Sequence, residues 1–193
     1  MRKIAVALLL AVAGCTTTPT PLAYTPSAAP AGPRVERPLI ADVSVTDRRG
    51  ESDPTYVGTI RGGYGNPLKR VNTTRPVADE VRTAFEAALR NRGLAGGPAA
   101  PYTLTVVVTK LDGDQYSRRE GNATFDVALV RRASGTPVYQ DHVETHLVRG
   151  SLVTFDQGIF ASADDLRKVI EEALSQAVDQ TLDKPGFAAA LAR

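Results

Sequence analysis

One cysteine, two histidines and a run of glycines among cations are the residues of this 193-residue chain whose types and spacing could do chemistry. The cysteine is Cys15, so no second thiol is present to pair with it. A lone thiol can act as a nucleophile or carry a modification. The histidines sit in "HVETH", as His142 and His146 around Glu144. On a strand these three point to one side, about 6.6 Å apart per two-residue step. A straight row reaches one ion poorly, and no further His or free Cys completes a tetrahedral zinc set. The zinc-protease motif is absent too, because it places Glu directly after the first His on a helix. Gly58, Gly62, Gly63 and Gly65 invite a phosphate-loop reading. That loop needs Lys followed by Ser or Thr at the mouth of a helix. Here Lys69 lies beyond Pro67 and is followed by Arg70, and the G-x-G-x-x-G spacing also fails. Without G-x-S-x-G, no serine nucleophile stands out. The chain is therefore expected to be no enzyme, with no cofactor and no metal.

The setting of Cys15 is more telling. Arg2 and Lys3 open the chain, residues 4–13 are an unbroken apolar run, and Ala13-Gly14 precede Cys15. A positive start, a short apolar run and small residues before a cut describe a secretory signal. A bilayer-spanning helix needs roughly 20 apolar residues, and this run is shorter. Val12-Ala13-Gly14-Cys15 resembles the bacterial lipobox, which implies a signal peptide over residues 1–14 and a lipidated Cys15 as first mature residue. One acyl chain anchors only marginally; the resemblance implies three. Thr16 rather than Asp follows the cysteine, which in the lipoprotein sorting rule implies the outer membrane, periplasmic face.

Cleavage takes two of the 23 basic residues away, and the 21 that stay match the 21 acidic ones. A nucleic-acid binder would show a basic excess, so no nucleic-acid partner is expected. Residues 16–36 are rich in Thr, Pro, Ala and Ser and poor in large apolar side chains. Such a segment buries too little to order itself. Residues 15–37 are thus expected to be a lipidated, disordered tether reaching at most roughly 65 Å at about 3.1 Å per residue.

One domain is expected over residues 38–186, with 187–193 as a tail. Leu39, Ala41, Val43 and Val45 alternate with polar partners as a strand does. A short strand over 56–60 follows, then the Gly-rich segment 61–75. Pro76 suits the first position of a helix. Val77, Val81, Ala84, Phe85, Ala88 and Leu89 form its apolar stripe. Strands over 102–111, 123–129 and 138–148 come next, with 112–121 as a polar loop and 133–136 as a turn. Ser162 and Asp165 resemble a capping box before a helix striped by Leu166, Val169, Ile170, Ala173, Leu174, Ala177 and Leu182. The expected fold is α+β, a mostly antiparallel sheet with two amphipathic helices packed on one face. The other face would be polar, carrying Thr103, Thr105, Thr109, Thr124, Asp126, Gln140, His142 and Glu144.

"VGTIRGGYGNPLKRVNTTRPVADEVRTAFEAALRNRGL", residues 57–94, resembles the YajG-like lipoproteins of Gram-negative bacteria. So do "VTDRR", the lipobox and the order of elements. The resemblance implies an envelope address and defines no catalytic residues. A looser likeness points to periplasmic lipoproteins that assist ABC transporters.

Arg61, Gly62, Gly63, Tyr64, Gly65, Lys69 and Arg70 form a basic loop with an aromatic tip. Long loops on rigid scaffolds often carry binding. The expectation is a tethered, non-enzymatic binding or scaffold module. Its partners would be the membrane, through the anchor, and an envelope protein, lipid or glycan at this loop. An accessory subunit of an ABC-type transporter is the alternative, and a periplasmic hydrolase ranks below it.

Overall fold

The computed structural model describes residues 17–26, 38–150 and 162–192. Cys15 and the expected signal segment, residues 1–14, lie outside the described residues. The elements run β1 (Ile40–Asp47), β2 (Tyr56–Arg61), β3 (Pro67–Asn72), α1 (Val77–Asn91), β4 (Tyr102–Gln115), β5 (Arg119–Arg131), β6 (Thr136–Arg149), α2 (Ala163–Asp183) and α3 (Pro185–Leu191). The sheet order is β3-β2-β4-β5-β6, with β1 also paired to β4. β4 is long enough for two parallel neighbours end to end. β1 pairs with its first half, from Tyr102 to Val108, and β2 with its end, from Gly113 to Gln115. The remaining pairings are antiparallel. The fold is α+β with an open, mostly antiparallel sheet, as the sequence predicts.

Alternation sets the two faces of the sheet. Leu104, Val106 and Val108 of β4 face the helices. A register shift between Val108 and Lys110 then moves the inward set to Leu111 and Gly113. Phe125, Val127 and Leu129 of β5 and Val143 of β6 continue the layer. Phe85 of α1 meets Phe125 edge-on, with ring centroids 5.9 Å apart. On the other face the predicted polar residues are half-buried or exposed.

Several local expectations are corrected. In β1 a register shift between Ile40 and Asp42 breaks the alternation. Ile40, not Leu39 or Ala41, joins Val43 and Val45 in the core. Pro76 is the N-cap of α1 rather than its first residue. Six residues of the Gly-rich segment, Pro67–Asn72, form β3. Most of the supposed loop 112–121 is strand, and only residues 116–118 turn. In the C-terminal tail, where Phe187–Leu191 reads in sequence as either a short closing helix or a frayed end, the helix is found as α3, with Phe187 fully buried against Tyr139. The Ser162 cap holds, its side chain accepting from the Asp165 amide.

The loop reading of 112–121 fails because of what its glycines do. Gly58, Gly113 and Gly121 pair in register across β2, β4 and β5. They open a flat strip on which α2 lies. A Cβ on Gly113 would sit 2.6 Å from Ile170 Cγ1, and one on Gly121 2.7 Å from the Val169 carbonyl oxygen. These glycines are gaps for a helix, not turn residues. Gly113→Ala should therefore cost about 1–3 kcal/mol by overpacking. Gly63→Ala, where a Cβ meets nothing within 4 Å, should stay within about 0.5 kcal/mol of the parent. Urea unfolding of the two variants checks both.

The largest departure concerns the tether. Residues 17–26 form a strap laid on the domain. Leu22 is buried in the core cluster. The Leu22 amide donates to Glu80 of α1 at 3.3 Å, and the Ala23 amide to Glu171 of α2 at 3.1 Å. The Thr25 amide donates to Ser175 Oγ at 3.0 Å. Burial pushes the Glu171 carboxyl above its ordinary value, against the pull of the Ala23 amide. The Tyr24 hydroxyl donates to Asp179 at 2.5 Å. Arg92, at the end of α1, reaches the Tyr24 oxygen at 3.3 Å, Asp179 at 3.0 Å and Asp183 at 2.9 Å. Burial first, then the Asp179 hydrogen bond, pushes the Tyr24 phenol up to about 12. Burial and Asp141 do the same to Tyr139, also to about 12. A raised phenol stabilises the fold below the ordinary value near 10, and that contribution is lost as pH rises through 12. In an ultraviolet titration, two tyrosines should ionise about two units late, and Tyr24→Phe should remove one of them.

Candidate functional site

The predicted loop is the tip of the β2–β3 hairpin. The last ladder pairs are Ile60 with Lys69 and Arg61 with Pro67. The Gly62 amide donates to the Asn66 carbonyl and the Gly65 amide to the Gly62 carbonyl, both at 2.8 Å. Only Gly65 of the tip glycines has positive φ, at +79°. Gly58 belongs to the strip under α2 and not to this loop.

Tyr64 stands at the tip and is fully exposed. The β4–β5 turn lies beside it, where the Tyr116 hydroxyl donates to the Gly63 carbonyl at 3.0 Å. Tyr116 is 49 % exposed and Leu68, on β3, 42 %. Among the described residues these three are the exposed large hydrophobic side chains. The sequence pointed to Tyr64 but missed Leu68 and Tyr116. Their only signal was an apolar residue beside a turn, and the polar hairpin tip expected over 113–121 is longer than the turn at 116–118 that it contains.

The basic character expected of the loop is largely compensated. Arg61 Nε lies 2.5 Å from Asp114 Oδ2. Arg70 stacks 4.5 Å over the Tyr56 ring and lies 3.9 Å from Asp53. Hydrogen bonds from the Thr55 hydroxyl and amide, then from Asn72, hold the Asp53 carboxyl below the usual carboxylate range. Lys69 is half-buried. The site is thus an aromatic and apolar end with paired charges behind it, rather than a cationic claw.

The strap joins this end. The Thr17 hydroxyl donates to the Arg70 carbonyl, and the Thr20 amide to the Asn72 carbonyl at 3.4 Å. Both contacts fall on the outer edge of β3, the end strand of the sheet. A groove of about 890 Å³ runs between strap and strand, lined by Thr18, Pro19, Thr55, Leu68 and Arg70 among others.

The open sheet face is the other surface the sequence brought forward. His142 Nδ1 lies 2.6 Å from Asp126 Oδ1, its register partner on β5. His146 Nδ1 lies 2.7 Å from Asn122 Oδ1, whose amide donates to Asp112 at 2.8 Å. Each histidine is thus tied to a different neighbour. Among the described residues, no three His, Cys, Asp or Glu side chains converge as a metal set. No described helix is long and apolar enough to cross a membrane.

Comparison with known proteins places this architecture. A family model described as an uncharacterized lipoprotein matches residues 26–192. No curated protein matches the chain. Among solved structures, protein XCC0632 from Xanthomonas campestris is 14 % identical, with 86 % of this chain and 93 % of that chain aligned at a TM-score of 0.65. A candidate lipoprotein from Caulobacter crescentus is 22 % identical over 58 % of this chain and 80 % of its own, at a TM-score of 0.45. At 14 % identity the first likeness shows a shared fold. The family match covers most of the chain, including every strand and helix described above, and the protein belongs to this uncharacterized lipoprotein family.

Proposed function

We propose that the chain is anchored through Cys15 to the periplasmic face of the outer membrane and works as a non-enzymatic binding or scaffold module. Membership of a lipoprotein family supports the anchor. The lipobox-like "VAGC" and Thr16 support the finer address, and "VGTIRGGYGNPLKR" supports placing the chain with the YajG-like members. The working surface is the hairpin end. The observation that carries this is the gathering of Tyr64, Leu68 and Tyr116 at one end of a domain in which, among the described residues, the other large apolar side chains are covered. Isolated exposed apolar residues need no explanation, but a cluster of them marks a contact surface.

Photo-crosslinking in living cells tests the reading. A photoreactive residue replaces Tyr64 in one chain and Thr105, on the open sheet face, in another. The expected result is a discrete envelope adduct, lipid or protein, from position 64 and none from position 105. Adducts from position 105 alone, or from neither position in a correctly anchored chain, contradict it.

A further inference from the structure

We propose that the partner of the hairpin end is the lipid bilayer itself, and that the strap holds this end against the headgroups. The inference rests on the anchoring of Cys15 proposed above. Its independent support is the seating of the strap. Thr17 is bonded to the Arg70 carbonyl, and Thr18 and Pro19 lie along the groove beside Leu68. Cys15 precedes Thr17 by two residues. Two residues span at most about 7 Å. An anchor on Cys15 would therefore pull on the domain from beside its β3 edge, where Thr17 is seated.

The headgroup layer on each side of the hydrocarbon core is roughly 5–8 Å thick. A glyceride-bearing cysteine lies in that layer, so Thr17 lies at its margin. β3 comes with it, and so does the hairpin it belongs to. The side chains exposed there suit the location. Tyrosine places an apolar ring and a polar hydroxyl at the boundary between lipid and water. Tyr64 projects fully from the tip, Tyr116 flanks it, and Leu68 adds an aliphatic group. Arg118 is exposed on the same turn as Tyr116 and is placed to meet lipid phosphates. Tyr64 and Leu68 leave water on docking, while Arg61 stays neutralised by Asp114. A free tether would have left the domain about 65 Å of play. The strap replaces that freedom with a fixed orientation, in which the open sheet face is left to the periplasm.

The test uses the full lipidated chain, reconstituted in vesicles of phosphatidylethanolamine and phosphatidylglycerol. Lipidation consumes the single native thiol, so one new cysteine takes an environment-sensitive dye. The variants are Tyr64→Cys, Leu68→Cys and Thr105→Cys. Nitroxide groups carried on the lipids quench dye that reaches the headgroups. The expected result is blue-shifted emission and loss of most fluorescence at positions 64 and 68, with position 105 unquenched. A flexible Gly-Ser insert between Cys15 and Thr17 should return positions 64 and 68 toward the behaviour of position 105. A lipidated chain whose position 64 stays as wet as position 105 overturns the proposal alone. So does a position 64 that is shielded but not quenched by lipid, because its cover is then a protein. So does quenching that survives the insert, because the strap then does not set the orientation. The mass of the mature chain separates the premise: no acyl mass on Cys15 overturns the anchoring reading together with this one.

Discussion

Arg92→Leu should destabilise the fold by about 3–5 kcal/mol, the cost of breaking a buried ion pair from one side. The guanidinium is 3 % exposed and its more deeply buried carboxylate partner, Asp179, 7 %. Burial would lower the Arg92 pKa, but the hydrogen bonds to Tyr24, Asp179 and Asp183 outweigh it and hold the group charged. One side chain therefore ties the end of α1, the end of α2 and the strap. Its loss takes a buried cation away from the Asp179 carboxylate, which keeps the Tyr24 hydroxyl, while Asp183, 28 % exposed, recovers some water. Adding Asp179→Asn to Arg92→Leu should return part of the loss, because it removes the buried charge that Arg92 balanced. Equilibrium urea unfolding of the three chains measures this. A loss below about 1 kcal/mol for Arg92→Leu would place the pair among surface bridges and contradict the reading.

Arg49→Met should cost about 3 kcal/mol, through stranded acceptors as much as through charge. Arg49 is 3 % exposed. It grips Asp47 with Nε at 3.0 Å and Nη2 at 2.9 Å, and donates to the Tyr56 carbonyl at 2.7 Å and the Leu111 carbonyl at 3.0 Å. It thus pins the end of β1 to the start of β2 and to the irregular stretch of β4. Burial raises the Asp47 pKa, and hydrogen bonds from Arg49 more than reverse this, so the net value is lowered. A lowered carboxyl contributes stability above its unfolded value near 4, and that contribution is lost as pH falls through the folded value. Wild-type stability should therefore fall on acidification below about pH 4. Arg49→Met should start lower and fall less steeply there. An unfolding series from pH 7 to pH 2 checks both the offset and the slope.

How much of this the chain announces in advance depends on the kind of signal. The stripes of α1 and α2 were legible because apolar residues recur at helical spacing and are buried as predicted. The inward layers of β4 and β5 were legible from alternation. The turns were less so. Gly113 and Gly121 look like loop residues in sequence, and their purpose appears only once Ile170 and Val169 lie on them. The strap was hidden for a related reason. Composition averages over residues 16–36, and a single Leu22 with Tyr24 cannot lift a Thr- and Pro-rich segment out of the disordered class. One clue was present. Glu80 falls three residues after Val77 and four before Ala84, on the edge of an apolar stripe. A carboxylate there is costly without partners. Its partners are Arg75 at 2.9 Å and the Leu22 amide. Tyr64 was found because a large side chain among glycines stands out. Leu68 and Tyr116 were not, since exposure at that end depends on how two turns meet.

The strap is the centre of this account, because the proposal that a lipid tether becomes an orienting device rests on it. Hydrogen exchange on the folded chain tests it most directly. The amides of Leu22, Ala23 and Thr25 donate to Glu80, Glu171 and Ser175. They should exchange slowly, and Arg92→Leu should speed Thr25 first, since Tyr24 beside it loses a partner. Exchange of all three at the rate of an unstructured peptide, with the helices still protected, would contradict the account and return the segment to a free tether.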